Sequence, residues 1–109
     1  MTRDYSEEVK RLIKKYKEKG FRYAKPSDFL LERIGASKEE IEKEIITYDN
    51  LEFCEKQTKK AETRYVLYFI YSKKRGRVYV LTFEDKIVMV TGYPIGKRTL
   101  KRYKKKFKS

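Results

Sequence analysis

The stretch Lys86–Arg98, KIVMVTGYPIGKR, places a hydroxyl (Thr91), a phenol (Tyr93) and two cations (Lys97 and Arg98) within eight residues. An apolar strand that only fills a core needs no such ending. The chain has no His and a single cysteine, Cys54, so imidazole-based triads, imidazole metal sites and an internal disulfide are excluded. Any chemistry must then come from Arg, Lys, Tyr, Thr and carboxylates. Arg64, Arg77 and Arg98, with Tyr65, Tyr68, Tyr79 and Tyr93, mix guanidinium and phenol groups. Guanidinium grips phosphate in a two-pronged fork, and a phenol stacks on bases or donates a hydrogen bond. A single Tyr in a strand is ordinarily there for buried area. Tyr93 is the exception, because it lies between Gly92 and Pro94 where no ladder or helix calls for an aromatic. Glu39, Glu40, Glu42 and Glu44 read as a solvated helix face with charge suited to a helix N-terminus. No carboxylate pair is placed for two-metal chemistry, so no metal and no cofactor are expected.

The charge is unevenly spread. The net value of +13 over 109 residues divides into +5 for residues 1–25, −3 for 26–61 and +11 for 62–109. From Lys97 to Lys108 there are eight basic residues and no acid. Arg98, Lys101, Arg102 and Lys105 are the outward cations of this run, and a polyanion is their natural partner: RNA first, DNA second. No apolar run reaches the length of a membrane span and no signal peptide opens the sequence, which reads as a cytoplasmic protein without a membrane partner. One Asn, one Gln and abundant Lys, Glu, Ile and Tyr bias the composition as in hyperthermophile proteins.

The elements that must position these groups follow from periodicity. Asp4 with Glu7 forms a weak capping box for a helix carrying Val9, Leu12, Ile13 and Tyr16, which Gly20 stops. Pro26-Ser27 opens a short helix with Leu30, Leu31 and Ile34 inward and Gly35 at its end. Ser37 with Glu40 opens a third helix carrying Ile41, Ile45 and Tyr48. The period then changes to 2. Leu51–Gln57 reads as a polar edge strand, and Glu62–Ser72, Arg77–Phe83 and Lys86–Thr91 as an antiparallel meander. Pro94 ends the sheet, since it cannot donate to a ladder. From Gly96 a final helix carries Leu100, Tyr103 and Phe107 on one stripe. The expectation is one α+β domain over residues 1–109: N-terminal helices packed on a curved three- to four-stranded antiparallel sheet, with a basic C-terminal helix.

Short turns pair Phe83 with Lys86 and Ser72 with Arg77. One face then collects Tyr65, Leu67, Phe69, Tyr71, Val78, Val80, Ile87, Met89, Thr91 and Tyr93. The other collects Arg64, Val66, Tyr68, Ile70, Arg77, Tyr79, Leu81, Phe83, Val88 and Val90. A one-residue slip in either turn exchanges these sets for one strand.

The segments SDFLLERIGASKEEIEKEI and RYVLYFIYSKKRGRVYVLTFEDKIVMVTGYP resemble the RelE-like toxin superfamily, within the barnase–colicin–RelE ribonuclease fold, and specifically its small uncharacterised members. The likeness covers roughly residues 27–94 and rests on the order and spacing of Glu32-Arg33, the helix start at Ser37–Glu40, Gly76-Arg77 and Val90-Thr91-Gly92-Tyr93. It implies helices on a curved antiparallel sheet and metal-independent RNA cleavage, in which the 2′-hydroxyl attacks its own phosphate. Carried over by position, Arg33, Arg77, Thr91 and Tyr93 are the matched polar residues, and charge and proximity add Lys97 and Arg98. Cleavage requires Arg77 and Tyr93 on one concave surface, with Arg33 or Lys97 in reach of a shared phosphate. Many of the small relatives carry a His where this chain has Asp28-Phe29. The alternatives are a non-catalytic RNA- or DNA-binding protein on the same fold, with Arg64, Tyr68 and Tyr79 on its surface, and an interaction module for an acidic, antitoxin-like protein.

Overall fold

Four helices cover the two faces of one sheet, and the apolar spacing of each helix decides which face it takes. The computed structural model describes residues 3–107, with the side chain of Phe107 outside that description. In α1 (Ser6–Tyr16) Val9 and Ile13 are four residues apart and fully buried. In α2 (Ser27–Ile34) Leu30 turns inward, and Gly35 takes the left-handed conformation, φ +77°, that closes the helix with its N–H on the Leu31 carbonyl at 2.7 Å. In α3 (Lys38–Thr47) Ile41 and Ile45 are buried, and Ser37 Oγ accepts from the Glu40 N–H at 3.2 Å, as the spacing predicts. The Asp4–Glu7 box does not form. Asp4 Oδ1 accepts instead from the Ser6 N–H (2.9 Å), the Ser6 hydroxyl (2.6 Å) and the Cys54 N–H (3.1 Å), which ties the chain start to the sheet.

The strands are β1 (Phe21–Tyr23), β2 (Leu51–Lys59), β3 (Glu62–Ile70), β4 (Arg75–Phe83) and β5 (Ile87–Gly96), and α4 (Lys97–Phe107) follows directly. Their order in the sheet is β1-β5-β4-β3-β2. The expected α+β class and the antiparallel meander of β3, β4 and β5 are observed. The sheet is larger than expected and mixed, because β1 adds a parallel edge on β5. Three residues, Phe-Arg-Tyr, are too few to show a period. They form a strand because tertiary contacts supply the bonds: Ile87 N–H to the Gly20 carbonyl at 3.1 Å and Ala24 N–H to the Met89 carbonyl at 3.0 Å.

Two expectations are corrected. Pro94 does not end the sheet, since Arg77 pairs with Pro94, Gly76 with Ile95 and Arg75 with Gly96. β1 stops opposite Met89, so beyond it the outer side of β5 faces no strand among the described residues, and a residue without an N–H is tolerated there. The register also differs. Phe83 pairs with Ile87, Phe69 with Arg77 and Ile70 with Gly76. The β4–β5 pairing is offset by one residue and the β3–β4 pairing by three; an odd offset exchanges faces, and β4 now shares its face with the other set of β3 residues. A bulge between Val80 and Leu81 inserts Val90 and turns the end of β5 over as well.

The core is accordingly in two parts. Beneath α1, α2 and α3 lie Cys54, Tyr65, Leu67, Phe69, Tyr79, Leu81, Ile87 and Met89. Beneath α4 lie Val66, Val78, Ile95 and Leu100, with Tyr68, Ile70, Val80 and Tyr93 packed around them.

Candidate functional site

A polar cluster joins α3 to β4 and to Tyr71, just past the end of β3. Glu44 Oε1 accepts from the Tyr79 hydroxyl at 2.6 Å and from the Arg77 guanidinium at 3.4 Å, and Glu44 Oε2 accepts from the Tyr71 hydroxyl. The Arg77 side chain is 25% exposed and that of Glu44 15%. Burial and the neighbouring carboxylate hold the Tyr79 phenol well above its ordinary value, and burial with Glu44 does the same to Tyr71. Both therefore stay protonated, as donors, at neutral pH. Burial opposes charge on Arg77, but Tyr79, Tyr71 and Glu44 outweigh it and keep the guanidinium charged. Its charge is compensated inside the fold, which is a structural use for a residue matched to catalysis by resemblance.

The other matched residues lie elsewhere. Arg77 pairs with Phe69, on the face covered by α3, whereas Tyr93 pairs with Val78, on the face covered by α4. The two are on opposite sides of the sheet, so they do not form the shared concave surface that the resemblance requires. Thr91 sits at the bulge. With Arg33 it lines a cavity of about 260 Å³ between α2 and β5, together with Tyr23, Lys25 and the exposed Phe29. Lys97 is exposed at the first position of α4.

The residues expected to meet nucleic acid divide in the same way. Tyr79 is fully buried and offers no ring face to a base, which removes it from the binding surface. The slip in register is the reason, because it turns Tyr79 beneath α3. The Tyr68 ring leans on Tyr103 at 5.2 Å, and its hydroxyl donates to Glu55 at 2.7 Å, so α4 covers it. Arg64 is paired with Glu62 at 3.2 Å and stands two residues before Val66, which packs beneath α4, so it flanks that helix rather than joining its exposed cations. Arg98, Lys101, Arg102 and Lys105 are all exposed on α4, whose inner stripe, Leu100 and Tyr103, is 1% and 4% exposed.

Sequence reasoning missed one part of this surface. Lys73-Lys74-Arg75-Gly76 reads as a turn; Lys73 and Lys74 do lie between β3 and β4, while Arg75 and Gly76 are already paired as the start of β4. The pairing of Arg75 with Gly96 sets that turn beside the first residues of α4. Two acid-free basic segments, separated in the chain by residues 76–96, thereby join. Lys74, Arg75 and Arg77 line a cleft of about 590 Å³ with Tyr71, Pro94 and Ile95. Lys74 and Arg75 have no acidic partner among the described residues. The signal was the run Lys73-Lys74-Arg75 itself; what it lacked was the register that gives it neighbours.

Cys54 is buried, and burial pushes its thiol well up, which suits packing rather than reactivity. Among the described residues no group of three or more Cys, Asp and Glu side chains could hold a metal ion, and no helix is long and apolar enough to cross a membrane. Comparison with known proteins brings no match: no family model, curated protein or solved structure matches this chain.

Proposed function

We propose that the protein binds nucleic acid through the basic surface made by α4 and the β3–β4 turn. One observation carries this reading: the Arg75–Gly96 pairing merges two acid-free basic segments into one exposed surface. A charge run left to fray as a soluble tail needs no apolar stripe, whereas Leu100 and Tyr103 seat α4 on the sheet and fix its cations in space. Phosphate neutralisation by such a surface is salt-dependent, at about −0.7 in log affinity per log salt for each phosphate of a single strand. If about five phosphates are met, the slope is about −3.5. Replacing Arg98 and Lys101 by Gln removes two contacts and brings it to about −2.1. Fluorescence anisotropy with a labelled single strand at several KCl concentrations reads both values. A slope near zero for the unmodified protein sinks the proposal.

A second reading is metal-independent RNA cleavage by a RelE-like, toxin-like ribonuclease. The observation in its favour is Tyr93, which packs on the α4 side of the sheet four residues before Lys97. In that reaction the 2′-oxygen bonds to phosphorus, the P–O5′ bond breaks, and a proton passes from the 2′-hydroxyl to a base while an acid protonates the 5′-oxygen. Incubation of total RNA with excess chelator, followed by end-mapping, tests it. Ends carrying 2′,3′-cyclic phosphate, lost in Tyr93→Phe with affinity intact, support cleavage. Tight binding with no cut ends leaves the binding protein alone.

A further inference from the structure

Tyr71 is one of two large apolar or aromatic side chains exposed among the described residues, at 40%. Unlike Phe29, the other one, it is fixed in place. Its hydroxyl donates to Glu44, and the Arg77 guanidinium lies 5.6 Å from its ring centroid, backing the ring. The ring lines the 590 Å³ cleft, a volume within the range that holds small ligands, roughly 300–1,000 Å³. Lys74 and Arg75 lie at the same cleft, and Ile34, Pro94 and Ile95 give it an apolar lining.

We propose that this cleft takes one unpaired nucleotide of a single-stranded nucleic acid, with the base stacked on Tyr71 and a flanking phosphate between Lys74 and Arg75. The proposal rests on the nucleic-acid reading above and adds a contact to the base. A flat ring beside two cations matches the two halves of a nucleotide, a π-face and an anion. The ring is already held by Glu44 and Arg77, so stacking costs little further ordering. A base within a duplex is stacked on its neighbours and reaches this ring only after unpairing, which costs a few kcal/mol. The cleft therefore selects single strands, while the α4 surface attracts any polyanion. Its lining includes Gly96, the residue before Lys97, so a strand leaving the cleft passes directly onto the cations of α4.

The test uses the whole chain and four fluorescent probes of equal length: an oligouridylate, an oligothymidylate, an abasic oligodeoxynucleotide with the same number of phosphates, and a DNA duplex. The base-bearing strands are expected to bind more tightly than the abasic strand at equal salt. Tyr71→Ala is expected to weaken binding of the base-bearing strands by roughly 5- to 150-fold and to erase their advantage over the abasic strand, with the salt slope unchanged. Tyr71→Phe, which loses the bond to Glu44 and keeps the ring, is expected to retain the advantage. A preference for the uridylate identifies RNA as the ligand, and equal affinity for the two base-bearing strands identifies single strands of either sugar. Abasic binding as tight as that of the base-bearing strands overturns this inference and leaves the nucleic-acid reading standing, provided the salt slope holds. So does a Tyr71→Ala change smaller than twofold. If none of the four probes binds, both readings fall together.

Discussion

Glu44→Ala asks whether Arg77 belongs to the fold or to a reaction. Glu44 receives three donors, and in the variant each loses that carboxylate, leaving Arg77 only its 3.4 Å bond to the Tyr79 oxygen. The Tyr79 side chain is fully buried, so its O–H is left without an acceptor, at a cost of about 1–3 kcal/mol, although its oxygen still accepts from Arg77. The Arg77 side chain is three-quarters buried. Its loss lies between that of an exposed pair, about 0–1 kcal/mol, and a fully buried one, about 3–5, so about 1–2 is a reasonable share. Tyr71 is exposed enough for water to replace the carboxylate. The total is about 2–5 kcal/mol, a large part of the stability of a domain this size. Guanidinium unfolding followed by far-UV circular dichroism measures it. Glu44→Gln keeps an acceptor and should lose about half as much. Arg77→Gln should likewise destabilise the fold while changing the salt slope of nucleic-acid binding by less than one phosphate contact. A Glu44→Ala variant within about 0.5 kcal/mol of the unmodified protein, the size of an ordinary surface substitution, refutes the argument. Arg77 would then be free to act elsewhere.

Tyr23, Tyr65, Tyr68 and Tyr79 all have phenols raised by burial and by a hydrogen bond to a carboxylate, and burial brings Tyr103 to about 12. Their stabilisation is present in full below the unfolded value of about 10 and is lost as pH rises from there towards the folded values, so chemical-denaturation midpoints should fall steeply above about pH 10. At Gly76 an added Cβ meets the Phe69 carbonyl oxygen at 2.8 Å, and at Gly92 it meets the Tyr79 ring at 2.9 Å. Each Gly→Ala change should cost about 1–3 kcal/mol in unfolding experiments, with Gly76 the worse because a backbone oxygen cannot rotate away. On α4 the pairs Lys97–Lys101, Arg98–Arg102, Lys101–Lys105 and Arg102–Lys106 set like charges four residues apart, at about 0.2–0.5 kcal/mol each. Raising KCl should therefore raise the melting temperature, and a fall would show that these charges do not repel as placed.

The helices were legible because each carries its own signal: buried residues at three- and four-residue spacing, the Ser37 cap, and glycines at 20 and 35. The meander was legible from its turns. What the sequence could not give was pairing. The segment around Lys73–Gly76 allows more than one hairpin, and a shift of three residues, which like any odd shift exchanges faces, moves Tyr79 from an open surface to the deepest part of the core. The same shift makes Arg77 a partner of Glu44. β1 was invisible because a three-residue parallel strand exists only through its neighbour. The candidate site split for this reason. Cations on α4 depend on helical spacing alone and came out as expected. Arg77, Thr91 and Tyr93 depend on register and a bulge, and came apart.

α4 shows what the fold tolerates in order to keep its charge. Its first turn carries Lys97 and Arg98 at the helix N-terminus, where the backbone dipole favours the opposite sign. Its four like-charged pairs together cost about 1–2 kcal/mol. Against this, Leu100 and Tyr103 are almost wholly removed from water, each contributing about 1.5–3 kcal/mol. Burial wins by a modest margin, so the helix is docked yet under electrostatic load. An ion pair reaches it near its end, Lys106 with Glu55 at 4.0 Å. A neutral or mixed helix with the same inner stripe would be more stable on this sheet. A polyanion lying along its outer face supplies the missing charge from outside, relieving the repulsion between the cations it contacts. On the proposed nucleic-acid reading, the same charges that weaken the free protein strengthen the complex, and binding and stability are coupled through one helix.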